Sequence, residues 1–171
     1  MKAKFVKLYF DLAIRISELS YGERLKVGAV IVKDHRILSY GYNGTPAGFD
    51  NCCEDKVYCN DETMLPEEII INFPYRESSY SHNDSRYKLV SKPEVLHAEL
   101  NAIAKIAKHG DSCEGSSLFV THSPCIECSK IILQSGITSV YYKEAYRLDD
   151  GIRLLRKGNV NVYECDQYSL S

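Results

Sequence analysis

Apolar residues at Phe5, Leu8, Tyr9, Leu12, Ile16 and Leu19 recur at three- and four-residue intervals, which predicts an amphipathic first helix with one face turned to a core. The stretch KVGAVIV, Lys26 to Val32, is a nearly continuous apolar run of strand length. The turn pair Asp34-His35 separates it from RILSYGY, Arg36 to Tyr42, so two strands are expected to form a hairpin. From Asn43 to Lys92 the pattern dissolves into Asn, Asp, Ser, Tyr, Cys and Pro, with a short helix expected only near PEEII. Periodicity returns at Leu96, where a helix is expected to run to His109 and stop before Gly110. Then follow SLFVTH as a strand, PCIECSKIILQSG as a helix, TSVYYK as a strand, YRLDDGIRLLRKG as a helix and VNVYEC as a last strand. Strand and helix alternate after residue 96 as in parallel βαβ units, while the N-terminal pair is antiparallel. The expected fold is therefore α/β with three layers, a central mixed sheet of about five strands with helices on both faces.

The chain has 171 residues, enough for one compact domain, with the irregular stretch at about 52–92 as an insertion. A connection that long inside a domain is usually functional. A net charge of -2 argues against a basic face for long nucleic acid, although a single nucleotide remains a possible ligand. The first twenty residues carry charges throughout and contain no apolar run of signal-peptide or membrane-span length, so a cytoplasmic protein is expected, with no membrane partner. Seven cysteines without a secretory signal favour metal ligands, buried thiols or a catalytic thiol over a disulfide framework.

Candidate chemistry gathers at two helix starts. In HSPCIEC, Ser123 is a good N-cap and Pro124 suits the first helical position, which places Cys125 in the first turn, where free N–H groups favour a thiolate. Cys128, three residues on, shares its face. Such a pair can be two small core residues, a redox pair or half of a tetrahedral zinc site. A third ligand is available in His97, which opens the preceding helix. A lone histidine is usually an ordinary surface or packing residue, but one His and two Cys leave a fourth zinc position open for water, the pattern of a catalytic site. Glu99, two residues from a ligand, then has a role in moving protons between that water and a leaving group.

HAE at 97–99 and PCIEC at 124–128 match the H-x-E…P-C-x-x-C signature of zinc nucleobase deaminases. Within that superfamily the chain resembles the deoxycytidylate (dCMP) deaminases of cells and DNA viruses. The resemblance is carried by KVGAVIV, GYNGTPAGFDNCCE, HAELNAI, VTHSPCIECSKII and SGITSVYYKEAY, which together span roughly residues 26 to 146. His122 stands where the family's pattern usually has leucine, and 55–91 has no firm counterpart. The resemblance implies hydrolytic deamination of dCMP to dUMP and ammonia for dTTP precursor supply. Water activated by Zn2+, one ion per chain, would attack C4 of the cytosine, and Glu99 would protonate N3 and then the amine. It also implies that the backbone near Ala98, Ser123 and Pro124 reads the pyrimidine edge, that Asn43 and Thr45 meet the sugar end, and that Tyr146 closes over base and phosphate. Ordinary packing for Tyr146 and a turn role for Asn43 are the plainer alternatives.

The family further implies a homo-hexamer activated by dCTP and inhibited by dTTP through a glycine-rich loop. Here that loop is GYNGTPAG, with Gly41, Tyr42 and Gly44 as backbone donors. Arg24 and Lys26 are candidates for the triphosphate, with Mg2+, against the plainer reading of surface charges. Cys52, Cys53, Cys59 and His82 are candidates for a second zinc site, though their spacing fits no standard pattern and buried or free thiols are the alternative. Two other readings compete: a deaminase of cytidine, dCTP or tRNA adenosine, and a non-catalytic zinc or redox module, which would not need Glu99.

Overall fold

The computed structural model describes residues 1–61, 63–77, 86–146 and 148–165. After helix α1 (Ala3–Ser17) come strands β1 (Gly28–Lys33) and β2 (Arg36–Tyr42), then a small-sheet region with β3 (Glu54–Tyr58), α2 (Pro66–Asn72), β4 (Tyr75–Arg76) and β5 (Arg86–Ser91). The second half runs α3 (Ala98–Lys108), β6 (Ser117–His122), α4 (Ile126–Gln134), β7 (Ser139–Glu144), α5 (Asp150–Lys157) and β8 (Asn161–Glu164).

The central sheet has the order β2-β1-β6-β7-β8. β1 is antiparallel to both β2 and β6, whereas β6, β7 and β8 are mutually parallel, so the expected mixed sheet is present. The β1–β2 turn is tight because Asp34 and His35 both adopt positive φ, 50° and 62°, in the left-handed geometry of a two-residue hairpin loop. Alternation along β1 sorts its side chains between layers: Val30 and Val32 pack with Phe119, Tyr141 and α1, while Ala29 and Ile31 pack with α3. Leu118, Val120 and Val140 continue that second face against α4 and α5. On the α1 side, the Phe119 ring lies 5.0 Å from Tyr9, 5.6 Å from Phe10 and 4.6 Å from Tyr141, centroid to centroid. Such aromatic contacts add to the ~2 kcal/mol that burial of one large apolar side chain contributes.

Two close approaches set where the helices lie. A Cβ on Gly41 would fall 2.2 Å from the Ala98 carbonyl oxygen and 2.6 Å from the Ala102 nitrogen, so the first turn of α3 rests directly on β2. A Cβ on Gly151 would fall 2.2 Å from the Pro124 carbonyl oxygen, so the first turn of α5 rests on the link between β6 and α4. Gly41, expected as a donor in a nucleotide-binding loop, lies within β2 with Tyr42, and its missing side chain makes room for α3.

Between 43 and 92, where the sequence has no sustained periodicity, the chain builds a second antiparallel sheet in the order β3-β5-β4. Its strands are short and mostly solvated, with Leu89 the buried apolar residue of β5. An aromatic stack of Tyr58, Tyr87 and Tyr75, with Lys56 over Tyr87, covers one face. The short helix expected near PEEII is α2. No described helix is long and apolar enough to cross a membrane.

Candidate active site and metal centre

The antiparallel pairing of β1 with β6 brings the start of β1 and the ends of β2, β6 and β7 to one edge of the central sheet. The segments that leave or enter these strands must therefore meet there, as they do at the carboxyl ends of parallel sheets generally. A cavity of about 760 Å³ opens at this edge. His97, Ala98, Glu99, Ser123, Cys125, Asn43 and Tyr146 all line it.

His97 is the N-cap of α3 and Cys125 the N-cap of α4, with φ/ψ of -72°/156° and -70°/171°, so each side chain projects from the last extended residue before a helix. Cys128 lies one turn into α4. The His97 Nδ1 atom is 3.5 Å from the Cys125 Sγ and 3.4 Å from the Cys128 Sγ. Ligands of a tetrahedral zinc at ordinary Zn–S and Zn–N lengths stand roughly 3.6 Å apart, so both sulfurs already stand at about that spacing from the imidazole nitrogen. All three donor atoms lie within 4.8 Å of one another, and among the described residues no other such group of His, Cys and acidic side chains occurs. One nitrogen and two sulfurs are the donor chemistry that zinc takes, so the residues fit the ion.

The protonation of the cluster points the same way. The Cys125 thiol is held down to about 3 by hydrogen bonds with Cys128 and His97. Its neighbour Cys128, which donates to Cys125 and is more deeply buried, is pushed up. Its hydrogen bond to Cys125 raises His97. Such a proton-sharing cluster is what a divalent cation displaces when it takes thiolates as ligands. Glu99 is only 4% exposed, and burial pushes its carboxyl up, so it is poised to hold and release a proton.

Ser123 has a different task from the N-cap expected of it. Helix α4 begins at Ile126, and the Ser123 hydroxyl accepts the Tyr146 N–H at 2.7 Å, while the Ser123 N–H donates to the Glu144 carbonyl at 2.8 Å. It ties the ends of β6 and β7 together. Pro124 follows outside regular structure, and its carbonyl lies under Gly151. Tyr146 is 44% exposed and lies in the cavity wall.

Asn43 acts as a clamp. Its Oδ1 accepts the Val27 N–H at 2.7 Å and its Nδ2 donates to the Leu25 carbonyl at 2.8 Å, so both ends of the amide hold the segment before β1. The Thr45 hydroxyl donates to the Asp50 carbonyl, within its own loop. Gly44 exchanges two backbone hydrogen bonds with Leu96, N–H to O at 3.1 Å and 2.9 Å, one residue before His97.

Arg24, expected at an effector site, lines the same cavity as Glu99, whereas Lys26, Gly41, Tyr42, Gly44 and Thr45 do not line it. Lys92, Tyr75, Ser91 and Glu54 also line the cavity and were not singled out from sequence, although Lys92 lies five residues before His97. His122 lines it too, its Nε2 3.2 Å from Glu144 Oε2 and its Nδ1 3.1 Å from Thr121 Oγ1. Cys52, Cys53 and Cys59 form no metal-binding group among the described residues, Cys53 being buried and its thiol raised by that burial. His82 lies outside the described residues.

Comparison with known proteins gives this geometry a context. A family model described as the cytidine and deoxycytidylate deaminase zinc-binding region matches residues 4–144. The deoxycytidylate deaminase of Enterobacteria phage T4 is 37% identical, over 100% of this chain and 93% of its own. That of Enterobacteria phage T2 is 40% identical over 85% and 81%. The crystal structure of the dCMP deaminase of cyanophage S-TIM5, in complex with dCMP and dUMP, superposes with a TM-score of 0.74 at 38% identity, covering 96% of this chain and 99% of that one. The chain therefore belongs to the cytidine and deoxycytidylate deaminase family.

Proposed function

We propose that this member of the family hydrolyses dCMP to dUMP and ammonia, a reaction that supplies precursor for dTTP. The observation that carries the reading is the buried Glu99 beside the His97, Cys125 and Cys128 donors, in a cavity that Arg24 and Lys92 also line. His97, Cys125 and Cys128 would hold the zinc, which would supply the Lewis acid that brings water into play at neutral pH. Glu99 accepts a proton from the water that adds at C4 and delivers it to N3 of the pyrimidine, then takes a second from the new C4 hydroxyl and passes it to the amine, which departs as ammonia as the C4 carbonyl forms. Its burial suits this exchange, because a carboxyl that is easily protonated can both take and give. The Ala98 N–H, first in α3 and without an intrahelical partner, faces the base edge as a donor. The Ser123 N–H is already engaged, which leaves its carbonyl as the acceptor for the amine. Arg24 and Lys92 supply the positive charge that a phosphate dianion requires, and Tyr146 closes over the base.

The same reading includes a homo-hexamer regulated by dCTP and dTTP with Mg2+, with Lys26 and the loop from Gly44 at the effector, while Gly41 and Tyr42 belong to the end of β2 from which that loop leaves. The Gly44–Leu96 backbone pair supports it, since it joins that loop to His97 through a single intervening residue boundary. An effector acts there only by binding two states of the enzyme unequally.

Ammonia release from a panel of cytosine and adenine nucleosides and nucleotides, with and without dCTP or dTTP, tests both parts. Preference for dCMP is the expected result; release from cytidine, dCTP or adenosine in its place assigns a different substrate, and release from none of them overturns the activity. Kinetics indifferent to both triphosphates, from a protein that sediments as a monomer, overturn the regulation alone.

A further inference from the structure

Arg24 lies in a segment with no regular structure between α1 and β1, exposed to solvent. A flexible cation there would pay an ordering cost each time it met a ligand. Yet the segment is gripped at three points. On one side Asn43 holds Leu25 and Val27, as described above. On the other, the two carboxylate oxygens of Glu54 accept the Glu23 N–H, each at 3.2 Å, and one of them also accepts the Arg24 N–H at 3.4 Å. The third grip is on the side chain: Arg24 Nη1 donates to the Ser91 hydroxyl at 3.2 Å.

Glu54 is the first residue of β3 and Ser91 the last of β5, and the two are paired across the ladder. One edge of the small sheet thus fixes both the backbone and the guanidinium of Arg24. The chemistry of Glu54 also fits its place. A carboxylate in a cavity wall near a phosphate site would repel the ligand, but its charge is engaged by the Glu23 and Arg24 backbone N–H groups, while the Lys92 ammonium lies 3.8 Å from Asp50. Lys92 is fixed through the same edge, its N–H donating to the Cys53 carbonyl at 2.9 Å.

We propose that Glu54, with Ser91, is a positioning residue that presents Arg24 to the 5′-phosphate, so that the small sheet sets the preference for a nucleotide over the nucleoside. This rests on the deaminase reading above. A nucleoside has no phosphate for Arg24 to meet, so loss of the grip weakens recognition of dCMP and leaves that of deoxycytidine as it was.

The test compares Glu54→Ala, Glu54→Gln and Ser91→Ala with the wild type for KM and kcat on dCMP and on deoxycytidine, with zinc content and dUMP affinity by calorimetry as readouts apart from turnover. Glu54→Ala should raise KM for dCMP about 10-fold and weaken dUMP to the same extent, with kcat on dCMP within about twofold, the scale of one or two charge-assisted hydrogen bonds. Glu54→Gln, which keeps an acceptor oxygen, should recover part of the loss, and Ser91→Ala, which frees only the side chain, should lose about threefold. Equal losses on dCMP and deoxycytidine, or a loss of zinc, would make Glu54 merely structural and overturn the inference. So would unchanged KM for dCMP and unchanged dUMP affinity in Glu54→Ala. A wild type that turns over neither compound overturns the deaminase reading and this inference together, whereas an active wild type with insensitive variants overturns only the inference.

Discussion

Two parts of the cavity wall are built by opposite means. At the metal end, each functional side chain stands at a helix start, on backbone fixed by a buried sheet and by helices in direct contact through Gly41 and Gly151. Elsewhere in the wall, Arg24, Ser91 and Lys92 stand on exposed or half-buried chain held by a few polar contacts. Rigidity is needed where atoms react, because a misplaced proton donor loses rate steeply. A phosphate can be held by charge from a less rigid frame. Under the proposed function, the difference teaches that chemistry and recognition are carried by differently built parts of one wall.

Removing a ligand should do most to break that separation. Cys125→Ser should lose the ion and abolish turnover, with chelator-treated wild type behaving alike; elemental analysis beside ammonia release checks it, and full metal retention by the variant would refute the assignment. Glu99→Ala should keep the ion yet lose about 10² to 10⁴ in kcat, the usual worth of a general acid-base group. If its turnover stays near wild type, proton transfer belongs to some other group.

Weaker effects sharpen the contrast. Gly151→Ala places a methyl group 2.2 Å from the Pro124 carbonyl, and the neighbouring Cys125 must shift with it. It should cost about 1 to 3 kcal/mol in denaturant unfolding and lower zinc affinity, whereas preserved affinity would show that α5 does not brace the ligand turn. At the small-sheet end, Lys56→Ala removes an ion pair to Glu77, 2.8 Å long and open to solvent. Such pairs contribute little, so kcat, zinc content and KM for dCMP should all stay within about twofold. A large change would mean that the small sheet is stiffer than its exposure implies.

The metal end was legible in sequence because its signals are local. β2 at Arg36–Tyr42 and β6 at Ser117–His122 fall where alternation and turn chemistry put them. His97, Glu99, Cys125 and Cys128 were legible because a ligand at a helix start and a second one turn later are sequence-near relations. The start of α4 was misplaced for the converse reason: the Ser123 hydroxyl that would cap it is engaged by Tyr146, a residue on another strand's exit. The small sheet was illegible because EDKVY and RYKLVS bury almost nothing, so no period marks them, and their pairing joins distant segments. Arg24, expected at a triphosphate effector with surface charge as the plainer alternative, is held by Glu54 and Ser91, partners too distant in sequence for any local signal to show.

The backbone pair between Gly44 and Leu96 has a consequence for how the chain can be cut and rejoined. It makes the intervening segment leave the central sheet and return at the same point. Loop-closure entropy grows only slowly with length, so a detour with touching ends costs the rest of the fold little whether it is long or short. Excising 46–94 and joining the ends through a tight turn should therefore leave a zinc-binding remnant that still folds. By the same token, the detour is a module that could be exchanged for another, grafting a different appetite for substrates onto an unchanged reaction centre.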